Sequence, residues 1–286
     1  LMRSDEMAKI AIVSDSTSDL TPDTIEKYNI RILPLRVIYT NGEYKDRVDI
    51  TPEEIYARFK DEIPSTSLPS PQDTVELFDQ LKREGYTHAV IVTISSGISG
   101  TSNMIRNVAD SYEGLIFEII DSKSLTMGAG FSIIEGAKEL KATNDFEKTV
   151  KKIKEVLLKT KVYYVVQTLE YLRKGGRIGK VEGTIGELLK IKPIISINED
   201  GVYYSYKKVR GRSRSIDELF EIIREKAKET LLNIAVAHGD AHDEAFGLLK
   251  RVKELKNIRE TVFTQISPVL VVHTGPGLIG IVISEV

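Results

Sequence analysis

The stretch Ser95-Ser96-Gly97-Ile98-Ser99-Gly100-Thr101-Ser102 limits the folds open to this chain more than any other. Ahead of it, His88-Ala89-Val90-Ile91-Val92-Thr93-Ile94 is an unbroken apolar and β-branched run, the pattern of a strand buried on both faces of a parallel sheet. Behind it, Asn103 to Ala109 shows helical spacing. The hydroxyls and glycines therefore lie between the carboxyl end of a strand and the amino end of a helix, where open α/β sheets bind ligands. Free N–H groups of a first helical turn, together with the helix dipole, favour an anion there. The alternative is that Ser96 or Ser99 only caps the helix.

The rest of the first half repeats this alternation. Lys9 to Val13 reads as a buried strand, and Ser14-Asp15-Ser16-Thr17-Ser18-Asp19-Leu20 as self-bonding turns ahead of a helix at Pro22 rather than as ligand contacts. Ile32 to Tyr39 reads as one strand, followed by an Asn41-Gly42 turn and a helix opened by Pro52. Three prolines in Ile63 to Pro71 make that segment a surface loop with hydroxyls to present. A helix from Pro71 to Gly85, a strand Leu115 to Ile120 and a helix Met127 to Leu140 follow, the last despite Gly128 and Gly130. Such alternation predicts an α/β fold whose first domain, residues 9–158, has a mainly parallel, helix-covered sheet.

A second α/β domain with a mixed sheet is expected over residues 159–286. It opens on the strand Lys161 to Val166, after which Leu169 to Gly179 reads as a short helix closed by glycines. Pro193 to Ile197 and Val202 to Tyr206 form a hairpin through Asn198-Glu199-Asp200-Gly201, and a basic loop runs from Lys207 to Arg214. Helices Ile216 to Thr230 and Asp243 to Leu255 alternate with strands Asn233 to Ala237 and Thr261 to Phe263. His273 closes an apolar strand, Val269 to Val272, before Gly275-Pro276-Gly277, and is either a buried structural histidine or a ligand contact.

Composition narrows the chemistry. The 40 basic and 42 acidic residues nearly cancel, so bulk charge predicts neither a nucleic-acid nor a membrane surface. There is no cysteine, which removes disulfides, thiolate catalysis and cysteine metal sites. His238, Asp240, His242 and Asp243 straddle a glycine loop, and capping or turn roles explain them better than a metal does; no metal site is expected. No apolar run approaches the roughly 20 residues of a membrane span, so a cytoplasmic location is expected. Residues 1–8 are expected to be an expression remnant or disordered tail, with Leu1 to Glu6 too polar for a signal peptide. A serine-dependent lipid or ester hydrolase is the alternative to a binding role. Thr101 stands where the G-x-S-x-G elbow needs glycine, and no His/Asp partner is identifiable.

Taken together, Ser14 to Leu20, Thr66-Ser67-Leu68-Pro69-Ser70-Pro71, Ser95 to Thr101, the Leu169 to Ile178 piece with Gly175-Gly176-Arg177, and His273-Thr274-Gly275-Pro276-Gly277 resemble the DegV family of fatty-acid-binding proteins, in the expected order from Lys9 onward. The resemblance implies two α/β domains with a long-chain fatty acid such as palmitate between them. It also implies a non-enzymatic carrier, without catalytic residues or cofactor, that presents the carboxylate to a separate ATP-dependent fatty acid kinase for phospholipid synthesis. Carried over by position, Thr66 and Ser99 hydrogen-bond the carboxylate, with Ser96 and His273 close by. Arg173, Arg210 and Arg212 are the expected docking residues for the kinase subunit. Leu68 departs from the motif, where a polar residue is common. Ile178, Ile185, Leu188 and Ile194 are candidates to line the acyl chain, or else ordinary core.

Overall fold

A computed structural model describes residues 8–184 and 191–286 of the chain. In the first half the strands are β1 (Ile10–Asp15), β2 (Arg31–Leu33), β3 (Arg36–Tyr39), β4 (Gly42–Lys45), β5 (Ser65–Ser67), β6 (His88–Thr93) and β7 (Ile116–Asp121). In the second they are β8 (Thr160–Val165), β9 (Ile191–Ile197), β10 (Tyr203–Arg210), β11 (Leu232–Gly239), β12 (Ile258–Gln265) and β13 (Leu278–Glu285). They form a parallel sheet β2-β1-β6-β7, a small antiparallel sheet β4-β3-β5, and a mixed sheet β10-β9-β8-β13-β11-β12. This is the expected combination of a parallel and a mixed sheet.

Four local readings are corrected. The single strand expected over Ile32 to Tyr39 is two, β2 and β3, which join different sheets. Pro34 lies at the break, where a residue without an N–H cannot continue a ladder. The proline-rich loop contains β5, which pairs antiparallel with β3 and sets Thr66 opposite Val37. His273 does not close a strand: Pro268–Thr274 is a helix, terminated at Gly275 with φ 68°. Similarly, the basic loop is the end of β10 and the start of the Arg212–Ala227 helix.

The Met127–Thr143 helix joins the two large sheets. Met127, Gly128, Ala129, Gly130, Phe131, Ser132, Ile133 and Ile134 are all buried, because the helix has β1 and β6 on one side and β8 and β13 on the other. Glycine is required for this approach. A Cβ on Gly128 would stand 2.1 Å from Ser124 Oγ and 2.6 Å from Val162 Cγ2. The main core consequently runs through both halves, from Ile12 and Val90 to Tyr164 and Val282. Of the proposed tail-lining residues, Ile178 and Ile194 are buried in the core, and Ile185 and Leu188 lie outside the described residues.

Candidate functional site

The turn after β1 fixes the loop after β6. Asp15, buried, accepts from Thr17 N at 2.9 Å and Thr17 Oγ1 at 2.6 Å through one oxygen, and from Ile94 N at 2.6 Å through the other. The backbone is thus held where the Ser95 to Thr101 loop begins. The hairpin turn of the second half rests on that loop, with Ser95 Oγ donating to the Gly201 carbonyl at 2.8 Å. A Cβ on Gly97 would lie 2.6 Å from the same oxygen, so only glycine admits the contact.

Between these layers is a cavity of about 140 Å³ whose wall includes Thr66, Leu68, Ile98, Ser99, Arg177 and His273. Thr66 arrives on β5, Ser99 on the loop before the Thr101–Asp110 helix, and His273 on the last turn of the Pro268–Thr274 helix. Three distant parts of the sequence meet there. Thr66 Oγ1 and His273 Nε2 are 2.8 Å apart, and Ser99 Oγ is 2.9 Å from Thr101 Oγ1. Gly100 occupies the cap position of the Thr101–Asp110 helix, so neither Ser96 nor Ser99 is its cap. Ser96 does not line the cavity. Its Oγ accepts from Lys123 Nζ at 2.9 Å, and its N–H donates to Asp121 at 3.0 Å.

His273 is held neutral. Burial, assisted by the nearby Arg177 charge, lowers it from 6.5 to about 4. Its Nδ1 is buried with no hydrogen-bond partner among the described residues, pressed against the backbone at Gly175. A buried orphan donor costs more than a buried orphan acceptor, which favours the proton on Nε2. Nε2–H then donates to Thr66 Oγ1, and the Thr66 proton is free to be donated into the cavity.

Arg177, named in sequence only as part of a family motif and given no role there, also lines the cavity. Its Nε donates to the Ile98 carbonyl at 3.3 Å and its Nη1 to the Gly175 carbonyl at 2.8 Å, while its charge faces the cavity. The signal was its position after the glycine pair, where Gly176 at φ 68° turns the chain back out of the Glu170–Lys174 helix. Behind Tyr203, Leu270 and Thr274, which line both spaces, is a smaller cavity of about 20 Å³. Its wall is almost entirely carbon, from Leu125, Val162, Leu278 and Val282 among others.

The residues expected at a docking surface are placed differently from one another. Arg210 is exposed, and Arg173 is 3.6 Å from Glu182. Arg212 is engaged, with two nitrogens on Glu244 and Nη1 donating to the Gly277 carbonyl at 2.7 Å. Among the described residues, no group of three or more His, Cys, Asp or Glu side chains could hold a metal. Nor is any helix among the described residues long and apolar enough to cross a membrane.

Two α/β layers thus enclose a hydroxyl-lined cavity that backs onto a smaller apolar one, the architecture of a two-layer α/β protein. The family model described as "Uncharacterised protein, DegV family" matches residues 9–286, and the chain belongs to the DegV family. A DegV domain-containing protein of Clostridium acetobutylicum is 50% identical over 97% of this chain and 99% of its own length. Among solved structures, DegV of Bacillus subtilis, a fatty acid binding protein, superposes with a TM-score of 0.90 at 26% identity, covering 98% of this chain and 100% of that one. A stearic acid-binding protein from Eubacterium ventriosum gives 0.86 at 28%, covering 97% and 98%.

Proposed function

We propose that this protein is a carrier that holds one long-chain fatty acid, with its carboxylate on Thr66 and Ser99 and its chain directed past Tyr203. The observation that carries this reading is the adjacency of the two cavities. A polar end with hydroxyl donors and a carbon-walled extension share Tyr203, Leu270 and Thr274 as their partition. The binding of fatty acids by structural neighbours supports it.

Burial of a methylene gains on the order of 0.8 kcal/mol, so a sixteen-carbon chain contributes roughly 10 kcal/mol before binding costs. The chain dominates affinity. The head group must nevertheless be hydrogen-bonded when it leaves water, or its desolvation offsets much of that gain. Thr66 and Ser99 supply donors, His273 orients Thr66 from behind, and Arg177 favours the ionised acid. Ser96, tied to Lys123, supports the loop that carries Ser99. The protein itself makes and breaks no covalent bond. A carboxylate held at hydroxyls remains available for phosphorylation, and in this reading a separate ATP-dependent kinase docks on the exposed cations around Arg210 and Arg173 and makes the acyl phosphate. Organic extraction of the purified protein followed by mass spectrometry tests the carrier reading. It predicts a stoichiometric long-chain fatty acid, and an extract without one from protein that also fails to take up palmitate refutes it.

A further inference from the structure

The helix that carries His273 has no side-chain cap of its own, and its first turn is held instead by two aspartates from the opposite half of the chain. Ser267 N donates to Asp19 Oδ1 at 2.9 Å, and Val269 N donates to Asp46 Oδ1 at 3.2 Å. Arg47 Nη2 bridges Asp19 Oδ1 at 2.9 Å and the Gln265 carbonyl at 2.7 Å, and Thr264 Oγ1 donates to the Asp19 carbonyl at 3.1 Å. Both aspartates are buried, at 1% exposure. With Pro268 lacking an N–H and Leu270 N bonded to the Ser267 carbonyl, these carboxylates complete the first turn. Asp46 follows directly on β4 and is fixed by its own N–H to the Leu35 carbonyl at 2.9 Å, at the start of β3. The same small sheet carries Thr66 on β5, which meets the helix at its other end through His273.

We propose that Asp19 and Asp46 are positioning residues for the anchor: Asp46 fixes the first turn of the Pro268–Thr274 helix to the sheet that carries Thr66, and Asp19 fixes it to the turn after β1, so the Thr66–His273 pair is set by a strut bonded at both ends. Its bearing on ligand affinity rests on the fatty-acid reading above; the mechanical part does not. The helix is 7 residues long and buried, so a shift of its first turn is transmitted to His273 rather than absorbed. The groups around the His273 ring are Thr66, Arg177 and the backbone at Gly175, and a slipped helix trades this dry contact for water.

The test is the pH titration of the His273 ring by long-range proton–nitrogen NMR on the ligand-free full chain, assigned with His273→Gln. In the unaltered protein the midpoint should lie near pH 4, where burial holds it. Asp46→Ala, which removes the acceptor, should move the midpoint upward by at least one pH unit and weaken palmitate binding about tenfold or more. Asp46→Asn keeps an acceptor oxygen and should retain the original titration. Arg47→Leu, at the more exposed edge of the joint, should move the midpoint in the same direction by less, and serves if Asp46→Ala does not fold. A control of similar thermal destabilisation elsewhere, Ile153→Val, should leave it unmoved. An unchanged midpoint in Asp46→Ala, or in Arg47→Leu if that variant alone folds, overturns the strut. So does an equal shift in the control. If the unaltered protein binds no palmitate, the fatty-acid reading fails while the His273 titration still decides the strut.

Discussion

Replacing Thr66 with Val keeps the shape and β-branching of a strand residue and removes one oxygen. That oxygen has two roles. In the free protein it pairs with His273 Nε2 at 2.8 Å, and His273 already has a second nitrogen without a partner. Losing the pair leaves both ring nitrogens unsatisfied, a cost to folding of about 1–3 kcal/mol. In the proposed complex, the Thr66 hydroxyl would donate to a carboxylate, and a hydrogen bond to a charged group contributes about 1.5–3 kcal/mol. At 1.4 kcal/mol per factor of ten, palmitate should bind roughly ten- to a hundredfold more weakly. Displacement of a fluorescent fatty acid measures this, with hexadecanol as the control because it has the same chain and no carboxylate. Hexadecanol affinity should change little. Equal losses for acid and alcohol would show that the substitution damages the chain slot, and unchanged palmitate affinity would remove Thr66 from the anchor.

Stability should respond to pH through two buried groups of opposite sign. Burial raises the Asp46 carboxyl from 3.8 to about 7. The folded chain therefore binds a proton that the unfolded chain has released, and stability falls as pH rises between these values, by about 4 kcal/mol at most. Asp46→Asn should melt higher than the unaltered protein at pH 8, with the difference gone by pH 4; a constant difference would contradict this. For His273, lowered to about 4, stability is fully present above 6.5 and is lost by roughly 3 kcal/mol as pH falls to 4. His273→Gln should flatten that acid limb in calorimetry. Gly128→Ala should lower the melting temperature by several degrees, since overpacking costs about 1–3 kcal/mol even against alanine's better helix propensity. No change would mean that the two sheets can separate around this helix without cost. Arg210→Glu should leave palmitate binding intact and reduce acyl phosphate formation with a partner kinase at least tenfold; normal turnover would exclude Arg210 from docking.

The parallel half of the fold was legible because buried strands such as His88–Thr93 have a continuous apolar signature, and because glycines and prolines mark the intervening turns. The Pro268–Thr274 helix was not. Short, buried on every side and rich in valine, it carries no helical polarity pattern, and its true signals were Pro268 at its start and Gly275 after its end. The break at Pro34 was equally visible in retrospect, as a residue that a central strand does not tolerate. At the site, Thr66, Ser99 and His273 were readable as motif positions, but their meeting depends on β5 pairing with β3, which a proline-rich segment does not advertise. Apart from the family motif, nothing in the sequence separates Ser96 from Ser99. Only the fold shows one facing the cavity and the other held by Lys123. The apolar cavity is lined from several elements far apart in sequence, β8, β10, β11, β13 and the Pro268–Thr274 helix among them, so no one segment announces it.

A crystal structure with palmitate tests the central claim most directly. The account predicts carboxylate oxygens within hydrogen-bond distance of Thr66 Oγ1 and Ser99 Oγ, and a chain that displaces Tyr203 or Leu270 to enter the space bounded by Val162, Leu278 and Val282. A fatty acid bound with its head group elsewhere, or with its chain outside that space, would contradict it.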